Sequence, residues 1–229
     1  MAKTPKTSTT KNAKPKVDAD DERLSGWQQR ALDRSLVEAK RRALNKSNGF
    51  VEAAMELLVA TGGLSFTVQD VVDRSKLSLR SFYQTFASKD DLLLALFEEC
   101  VASAAEWQRG KMVKHDDAIE QIRVFLTSQW SNQLSPEVVR ALALYNLTLS
   151  TTRPSDLAHA LEPQLNVLHE AVERGVATGQ IRDDIDARRL SEILLHTANA
   201  AVHTTILQTG SESPDDVWAF CLGGIQRQA

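Results

Sequence analysis

The chain has 229 residues, of which 42% are hydrophobic and 25% are charged, as in ordinary globular proteins. No apolar run approaches the roughly eighteen residues of a membrane span, and no apolar stretch follows the N-terminal lysines, which argues against a membrane anchor or a secretory signal. The net charge is only −3, but residues 1–34 carry eight Lys and Arg against five Asp and Glu. A basic N-terminal end and an acidic remainder favour a protein whose N-terminal part meets phosphate.

The first 26 residues are predicted to form a disordered arm, because Lys, Thr, Ala and Asp dominate and no apolar cluster offsets the entropy of ordering. A solvated tail is the favoured interpretation, and contact with the DNA backbone through Lys3, Lys6, Lys11, Lys14 and Lys16 is the alternative. From about residue 27 to 61, apolar residues recur at helical spacing, which predicts a helix that Gly62-Gly63 ends. Asn48-Gly49 is expected to interrupt or kink it.

Two short helices follow, joined by a three-residue turn. Thr67 opens the first, with Asp70 in the position of a capping-box acid. The turn is Ser75-Lys76-Leu77, and Ser78 caps the second helix, over residues 79–85. A short helix, a turn and a second short helix form a helix-turn-helix, and in DNA-reading versions the second helix enters the major groove.

The second short helix has side chains suited to reading bases. Phe82 and Phe86 are expected to face inward, and the polar outer face is expected to consist of Arg80, Ser81, Gln84 and Thr85. Arginine pairs with guanine O6 and N7, and glutamine with adenine N6 and N7. Helix starts and the turn commonly bind phosphates. The predicted DNA-contacting residues are therefore Thr67, Lys76, Ser78, Leu79, Arg80, Ser81, Tyr83, Gln84, Thr85 and Lys89.

The rest of the chain is predicted to be helical. Ser88 caps a long helix that runs to about Trp107, and five further helices follow, over about residues 116–133, 135–150, 155–179, 186–208 and 214–226. Pro136 and Pro214 stand in the first turns of two of them, and Pro163 is expected to kink a third. No segment is typical of a strand, so the predicted fold class is all-α.

The run from Gly62 to Leu93, GGLSFTVQDVVDRSKLSLRSFYQTFASKDDLL, closely resembles the N-terminal domain of the TetR family of repressors. The residues that carry the resemblance are Gly62, Gly63, Thr67, Ser78, Tyr83, Phe86, Ser88, Lys89 and Asp90. The sequence departs from the family pattern at two places. Ser75-Lys76-Leu77 replaces the usual Ala-Gly-Val turn, and Leu79 stands where the family commonly has lysine.

The resemblance implies the rest of the function. It implies a helix-turn-helix DNA-binding domain, placed at residues 27–100, and an effector-binding and dimerisation domain, placed at residues 101–229. It implies binding to double-stranded operator DNA as a homodimer, usually as a repressor. It also implies release by a small, often apolar effector, for which Trp107, Phe125, Trp130 and Tyr145 are candidate pocket residues; ordinary core packing is an equally good interpretation of these four.

The predicted dimer interface is built on the last two helices. Their apolar residues exceed what one small domain is expected to bury. These residues are Leu190, Leu194, Ala198, Ala201, Val202, Val217, Phe220 and Leu222. An obligate interface of this kind typically hides more than about 2,000 Å².

Other classes of function have less support in the sequence. His196 and His203 are seven residues apart with no acidic third ligand, so packing or an interface is preferred to a metal site. Cys100 and Cys221 fit no metal or redox spacing, and we expect reduced cysteines in a cytoplasmic protein. No phosphate loop, nucleophile elbow or catalytic residue is found and no cofactor is predicted, so an enzyme would need a dispersed site. A helical binding module without a DNA role is the third hypothesis.

Overall fold

A computed structural model describes residues 25–131 and 134–226 of the chain. These residues form nine helices and no strand, which confirms the predicted all-α fold. The helices are α1 (Gly26–Thr61), α2 (Val68–Ser75), α3 (Leu79–Thr85), α4 (Lys89–Met112), α5 (Ala118–Ser128), α6 (Pro136–Thr152), α7 (Pro154–Ala177), α8 (Ala187–Ile206) and α9 (Pro214–Ile225). Within the described residues, no helix is long and apolar enough to cross a membrane. Of the predicted arm, residues 1–24, with all five of its lysines, lie outside the described residues.

The helices begin where the capping residues predict. Thr67, Ser78, Ser88 and Ser135 are N-caps whose side chains accept a hydrogen bond from the backbone three residues on. Such a bond satisfies one of the backbone donors that a helix start leaves unpaired. Helix ends were predicted less well. The long helix continues past Trp107 to Met112, and the helix predicted to reach residue 133 ends at Ser128.

The described residues fall into two units, one that ends at Arg42 and one that begins at Ala43. In the first unit, residues 26–42 are helical and all but Glu38 are exposed. The predicted interruption at Asn48-Gly49 is wrong, because α1 continues through it. A Cβ at Gly49 would lie 3.4 Å from the Leu77 side chain, which is about an ordinary van der Waals contact.

Helix α4 connects three apolar clusters in the second unit. Its first half packs into a head cluster with Phe50, Phe82 and other residues of α1–α3. Its middle packs into a small cluster with Leu149 and Leu161, and its end packs into a large cluster of α5, α7, α8 and α9. Val138 of α6 also belongs to the head cluster, so that cluster draws on residues beyond position 100, where the domain boundary was predicted. A rigid helix shared by three clusters can transmit a change in one of them to the others.

Much of the apolar surface assigned to the dimer interface is used within the chain. Leu190, Leu194, Ala198 and Val217 are buried in the large cluster, so they are not available to a partner. Phe220 differs, because 75% of it is exposed. The sequence pattern did not separate the two groups, because the faces of two neighbouring helices are decided by how they pack.

Candidate nucleic-acid interface

The first helix of the helix-turn-helix is held by a reciprocal cap. The Thr67 backbone N–H and hydroxyl both donate to Asp70 Oδ2 at 2.7 Å, and Asp70 N–H donates back to Thr67 Oγ1 at 3.2 Å. Hydrogen bonds from Thr67 lower the pKa of the Asp70 carboxyl, first from its backbone and then from its side chain. Thr67 remains exposed at this helix start, where a phosphate contact was predicted.

The turn between α2 and α3 uses a left-handed residue. Lys76 has φ 57° and ψ 21°, the conformation that glycine adopts most readily. This is the position at which the family pattern has glycine. Ser75 supports the turn, because its hydroxyl donates to the Val72 carbonyl at 3.2 Å and accepts from Leu77 N–H at 3.3 Å. The Lys76 side chain is exposed, as its predicted phosphate contact requires.

Helix α3 is anchored by an aromatic cluster. Phe82 is fully buried and meets Phe50 of α1 edge-on, with 5.4 Å between ring centroids. The centroid of the Phe86 ring lies 5.7 Å from that of Phe82 and 6.3 Å from that of Phe50. The two edge-to-face pairs, Phe50–Phe82 and Phe50–Phe86, add to the stabilisation from buried area alone, whereas the Phe82 and Phe86 rings are tilted at 43° to each other. These ring contacts therefore fix the orientation of α3 against the rest of the head cluster.

The exposed face of α3 differs from the predicted one at two positions. Leu79, Arg80, Tyr83 and Gln84 are exposed, and Ser78 is exposed at the N-cap. Ser81 was expected to face outward, but it is only 6% exposed, and its hydroxyl has no hydrogen-bond partner among the described atoms.

The cause of this difference is the width of the inner face. With about 100° of rotation per residue, positions 81, 82, 85 and 86 together cover an arc of about 140°. Thr85 is accordingly half-buried, and its hydroxyl donates to the Ser81 carbonyl at 2.9 Å. The prediction from Phe82 and Phe86 alone therefore made the inner face of this short helix too narrow.

Lys89 has an intramolecular role. Its Nζ donates to the Leu64 carbonyl at 2.7 Å and lies 5.0 Å from the centroid of the Phe66 ring. These contacts tie the loop before α2 to the start of α4. The predicted phosphate contact of Lys89 stays a prediction. Arg74 is also engaged, since its Nη1 lies 3.2 Å from Glu56 Oε2 of α1.

The four candidate pocket aromatics lie in different environments. Phe125 is fully buried in the large cluster, and Trp130 packs against it. Lys111 Nζ lies 3.8 Å from the Trp107 ring centroid. The ring centroids of Tyr145 and Phe97 lie 5.8 Å apart, and the Tyr145 hydroxyl donates to the Asp90 carbonyl at 3.4 Å. Burial raises the pKa of this hydroxyl to about 12.

The second unit has two open grooves, and none of these four aromatics lines either of them. The larger, about 830 Å³, lies among α1, α4 and α7; we call it the acidic groove because its lining includes Glu52, Glu56, Glu98 and Glu99. The smaller, about 500 Å³, lies among α6, α7 and α8. We call it the apolar groove, and its lining includes Leu147, Leu157, Leu161, Leu207, His196 and His203. Sequence reasoning did not find either groove.

The apolar groove contains the histidine pair that the sequence singled out. Burial lowers the pKa of the His203 imidazole, which favours its neutral form. Within the described part of the chain, no group of three His, Cys, Asp or Glu residues is arranged to hold a metal ion. His196 and His203 both line this groove, so their imidazoles add hydrogen-bonding groups to its apolar wall.

The joint between α6 and α7 contacts the start of α4. Arg153 Nε lies 2.6 Å from Asp156 Oδ2, and its Nη1 lies 3.5 Å from Asp91 Oδ1. Ser150 and Pro154, on either side of this arginine, line the apolar groove. The groove is thus adjacent to a direct contact with the helix that follows α3.

Helices α2 and α3, the turn between them and the aromatic anchor of α3 form a helix-turn-helix, a motif found in many DNA-binding regulators. Residues 50–96 match the family described as "Bacterial regulatory proteins, tetR family". This match assigns the helix-turn-helix part of the chain to the TetR family. The chain is 21% identical over 160 residues to the fatty acid metabolism regulator protein of Bacillus subtilis (strain 168), over 69% of this chain and 81% of that protein.

Solved structures share the fold. FadR from Bacillus subtilis, in complex with stearoyl-CoA, aligns with a TM-score of 0.60 at 19% identity, over 78% of this chain and 98% of that chain. FadR from Thermus thermophilus, a TetR-family repressor in complex with lauroyl-CoA, aligns with a TM-score of 0.62 at 18% identity, over 80% and 97%. At these identities the likeness establishes the common architecture.

Proposed function

We propose that this chain is a ligand-responsive repressor that binds a palindromic operator as a homodimer. The observation that carries the proposal is the outer face of α3, where Arg80 and Gln84 are exposed while Phe82 holds the helix on the head. Arginine can donate to both guanine O6 and N7, and glutamine can donate to adenine N7 while it accepts from the N6 amino group, so both can distinguish bases in the major groove. A dimer would place two such helices about 34 Å apart, one per half-site.

Base reading is tested at Arg80. After operator fragments have been selected from the source genome, Arg80→Ala is expected to cost about 1–3 kcal/mol per half-site and to relax the preference at one base pair. Arg123→Ala, an exposed arginine on α5, is the control and is expected to leave affinity and preference unchanged. An unchanged operator preference in Arg80→Ala would refute base reading by this residue.

The dimer is proposed to form on the outer side of α8 and α9. Phe220 is largely exposed, and Gly223 and Gly224, one turn further along α9, have open space beside them. A large aromatic beside two glycines allows close approach of a second backbone. Phe220→Asp is expected to give the mass of a single chain in light scattering and to weaken binding to a two-half-site operator. The control is Val113→Asp, an apolar residue that is 69% exposed at the end of α4.

The effector is proposed to occupy the apolar groove. Regulators of known structure with this fold bind stearoyl-CoA and lauroyl-CoA, which combine a long apolar chain with anionic phosphates. The four glutamates of the acidic groove would repel such a molecule. The apolar groove has a leucine-rich wall and no acidic residue in its lining. We therefore favour a fatty acyl thioester bound there.

Groove-filling variants test this assignment. Ala158 is exposed on the wall of the apolar groove, so Ala158→Trp is expected to keep operator binding and to abolish release by stearoyl-CoA or lauroyl-CoA. Ala102→Trp fills the acidic groove and serves as the matched control. Release of the operator by the acyl-CoA is measured by fluorescence anisotropy. Equal release in the two variants and the wild type would refute the assignment of the effector to the apolar groove.

The Arg153 contact supplies a route from this groove to the recognition helix. A ligand that displaces Ser150 or Pro154 would move Arg153 and its partner Asp91 at the start of α4. By linkage, operator DNA must weaken effector binding by the same factor, commonly about 5- to 150-fold. Arg153→Met is expected to reduce that factor while effector binding in the absence of DNA persists.

A further inference from the structure

The charge of the helix-turn-helix leaves operator binding with few available cations. Residues 67–91 contain four Lys and Arg and four Asp and Glu. Two of the four cations are engaged within the protein, Arg74 with Glu56 and Lys89 with the Leu64 carbonyl. Proteins that bind duplex DNA obtain much of their affinity by neutralising phosphates with Lys and Arg. A helix-turn-helix without net charge that binds DNA would therefore gain affinity from cations in another part of the chain.

Helical residues 26–42, which we call the basic segment, concentrate positive charge. They contain five Lys and Arg against two Asp and Glu, in a chain whose net charge is −3. Arg30 and Arg34 form no ion pair with another described residue, and Arg41 pairs only with its neighbour Glu38, at 3.0 Å. All three arginines are exposed.

The arginines share one face of the helix. Positions 30, 34 and 41 fall within about 40° of one another around the helix axis, and we call them the arginine face. A row of cations along a helix is the arrangement that follows a phosphate backbone. Only seven residues separate Arg42 from Phe50, whose ring contacts α3, so the covalent connection alone gives the basic segment a high local concentration beside bound DNA.

The apolar residues of the basic segment do not favour a membrane surface. An interfacial helix collects its apolar side chains on the side away from its charges. Leu32 and Leu36 lie opposite the arginine face, but Trp27 and Val37, 66% exposed each, lie within about 40° of its centre. Apolar side chains on both sides suit sugar and groove contacts better than burial in lipid.

From these observations we infer that the arginine face of residues 26–42 is a second DNA-binding element, which contacts the phosphate backbone of the duplex bound by α3. The inference rests on the proposed function, because it requires duplex binding. It assigns the segment a sequence-independent role, separate from base reading by Arg80.

The test is the salt dependence of binding to a random-sequence duplex. In the full-length chain, Arg30→Gln/Arg34→Gln/Arg41→Gln removes the arginine face and keeps helix propensity, because Gln and Arg are similar helix formers. The slope of log K against log salt is expected to fall by about 0.9 for each phosphate that the variant no longer neutralises. The control is Lys111→Gln/Lys114→Gln/Arg123→Gln, which changes the net charge by the same amount on α4, in the turn after it and on α5, and it is expected to preserve the slope.

An arginine variant with the wild-type slope would overturn the inference while leaving the proposed function intact. Equal decreases in slope in the two triple variants would also overturn it, since the effect would then come from net charge. In either case, the two chains would then be compared in binding to phosphatidylglycerol vesicles. If the wild type binds the vesicles and the arginine variant does not, the arginine face contacts a lipid surface. A wild-type chain that binds no duplex at all would refute the proposed function itself.

Discussion

Lys76 offers a sharp test because one residue combines a strained backbone with a predicted DNA contact. Its φ of 57° places it in the left-handed region, where an L side chain crowds its own backbone. Replacing it with glycine removes both the strain and the side chain. Replacing it with alanine removes the side chain but keeps the Cβ, and with it the strain. The two variants therefore separate stability from binding.

The magnitude follows from two opposing effects. A non-glycine residue in the left-handed region costs roughly 1–2 kcal/mol, and the greater freedom of glycine in the unfolded chain offsets about 0.5–1 kcal/mol of the relief. Lys76→Gly is thus expected to be more stable than Lys76→Ala by about 0.5–1 kcal/mol. For a chain of this size, that corresponds to a difference in Tm of roughly 1–4 °C.

The assay combines thermal unfolding with DNA binding. Both Lys76 variants lack the cationic side chain that is predicted to meet a phosphate, so their affinities for duplex DNA are expected to fall equally and their salt slopes to decrease by about 0.9. Only Tm is expected to separate them. If alanine proves as stable as glycine at this position, the backbone argument fails. If both variants retain the wild-type salt slope, Lys76 does not contact phosphate.

Two further predictions concern the loop before α2 and its attachment. Gly62→Ala is expected to lower stability by at least about 1 kcal/mol in a denaturant titration, because Gly62 has φ +65° and an added Cβ would lie 2.9 Å from Glu137 Cβ. Gly63→Ala, with nothing within 4 Å, is expected to be tolerated, and equal destabilisation in both would contradict this explanation. Lys89→Met is expected to lower stability by about 1–2 kcal/mol by removing the bond to the Leu64 carbonyl, and an unchanged Tm would argue against that bond.

Most of the fold could be predicted from local patterns. The caps at Thr67, Ser78 and Ser88 depend on hydrogen bonds that span three residues, so the sequence alone determines them. The same holds for the helix-turn-helix and for the number of helices that follow α4, because helical periodicity is visible within a single segment. Helix ends and the continuity of α1 at Gly49 were predicted less well, since they depend on neighbouring elements.

The candidate interface was only partly accessible to sequence reasoning. Arg80 and Gln84 are exposed as predicted, because Phe82 fixes the inner side of a seven-residue helix. Ser81 is buried because the inner face is wider than a single phenylalanine pair indicates. The engagement of Lys89 with the Leu64 carbonyl joins residues 25 positions apart, and no local pattern indicates such a bond.

Tertiary packing alone decided where a ligand or a second chain can meet this protein. Leu194 and Phe220 have the same apolar character in sequence, yet one is buried in the large cluster and the other is exposed. The apolar groove likewise brings Leu147 and His203 together from α6 and α8. The sequence by itself determined helix α3 and the exposure of Arg80 and Gln84, because capping and amphipathic periodicity act within a few residues. The tertiary structure decided which surfaces are open to a ligand or a second chain, because burial depends on contacts between helices distant in the chain.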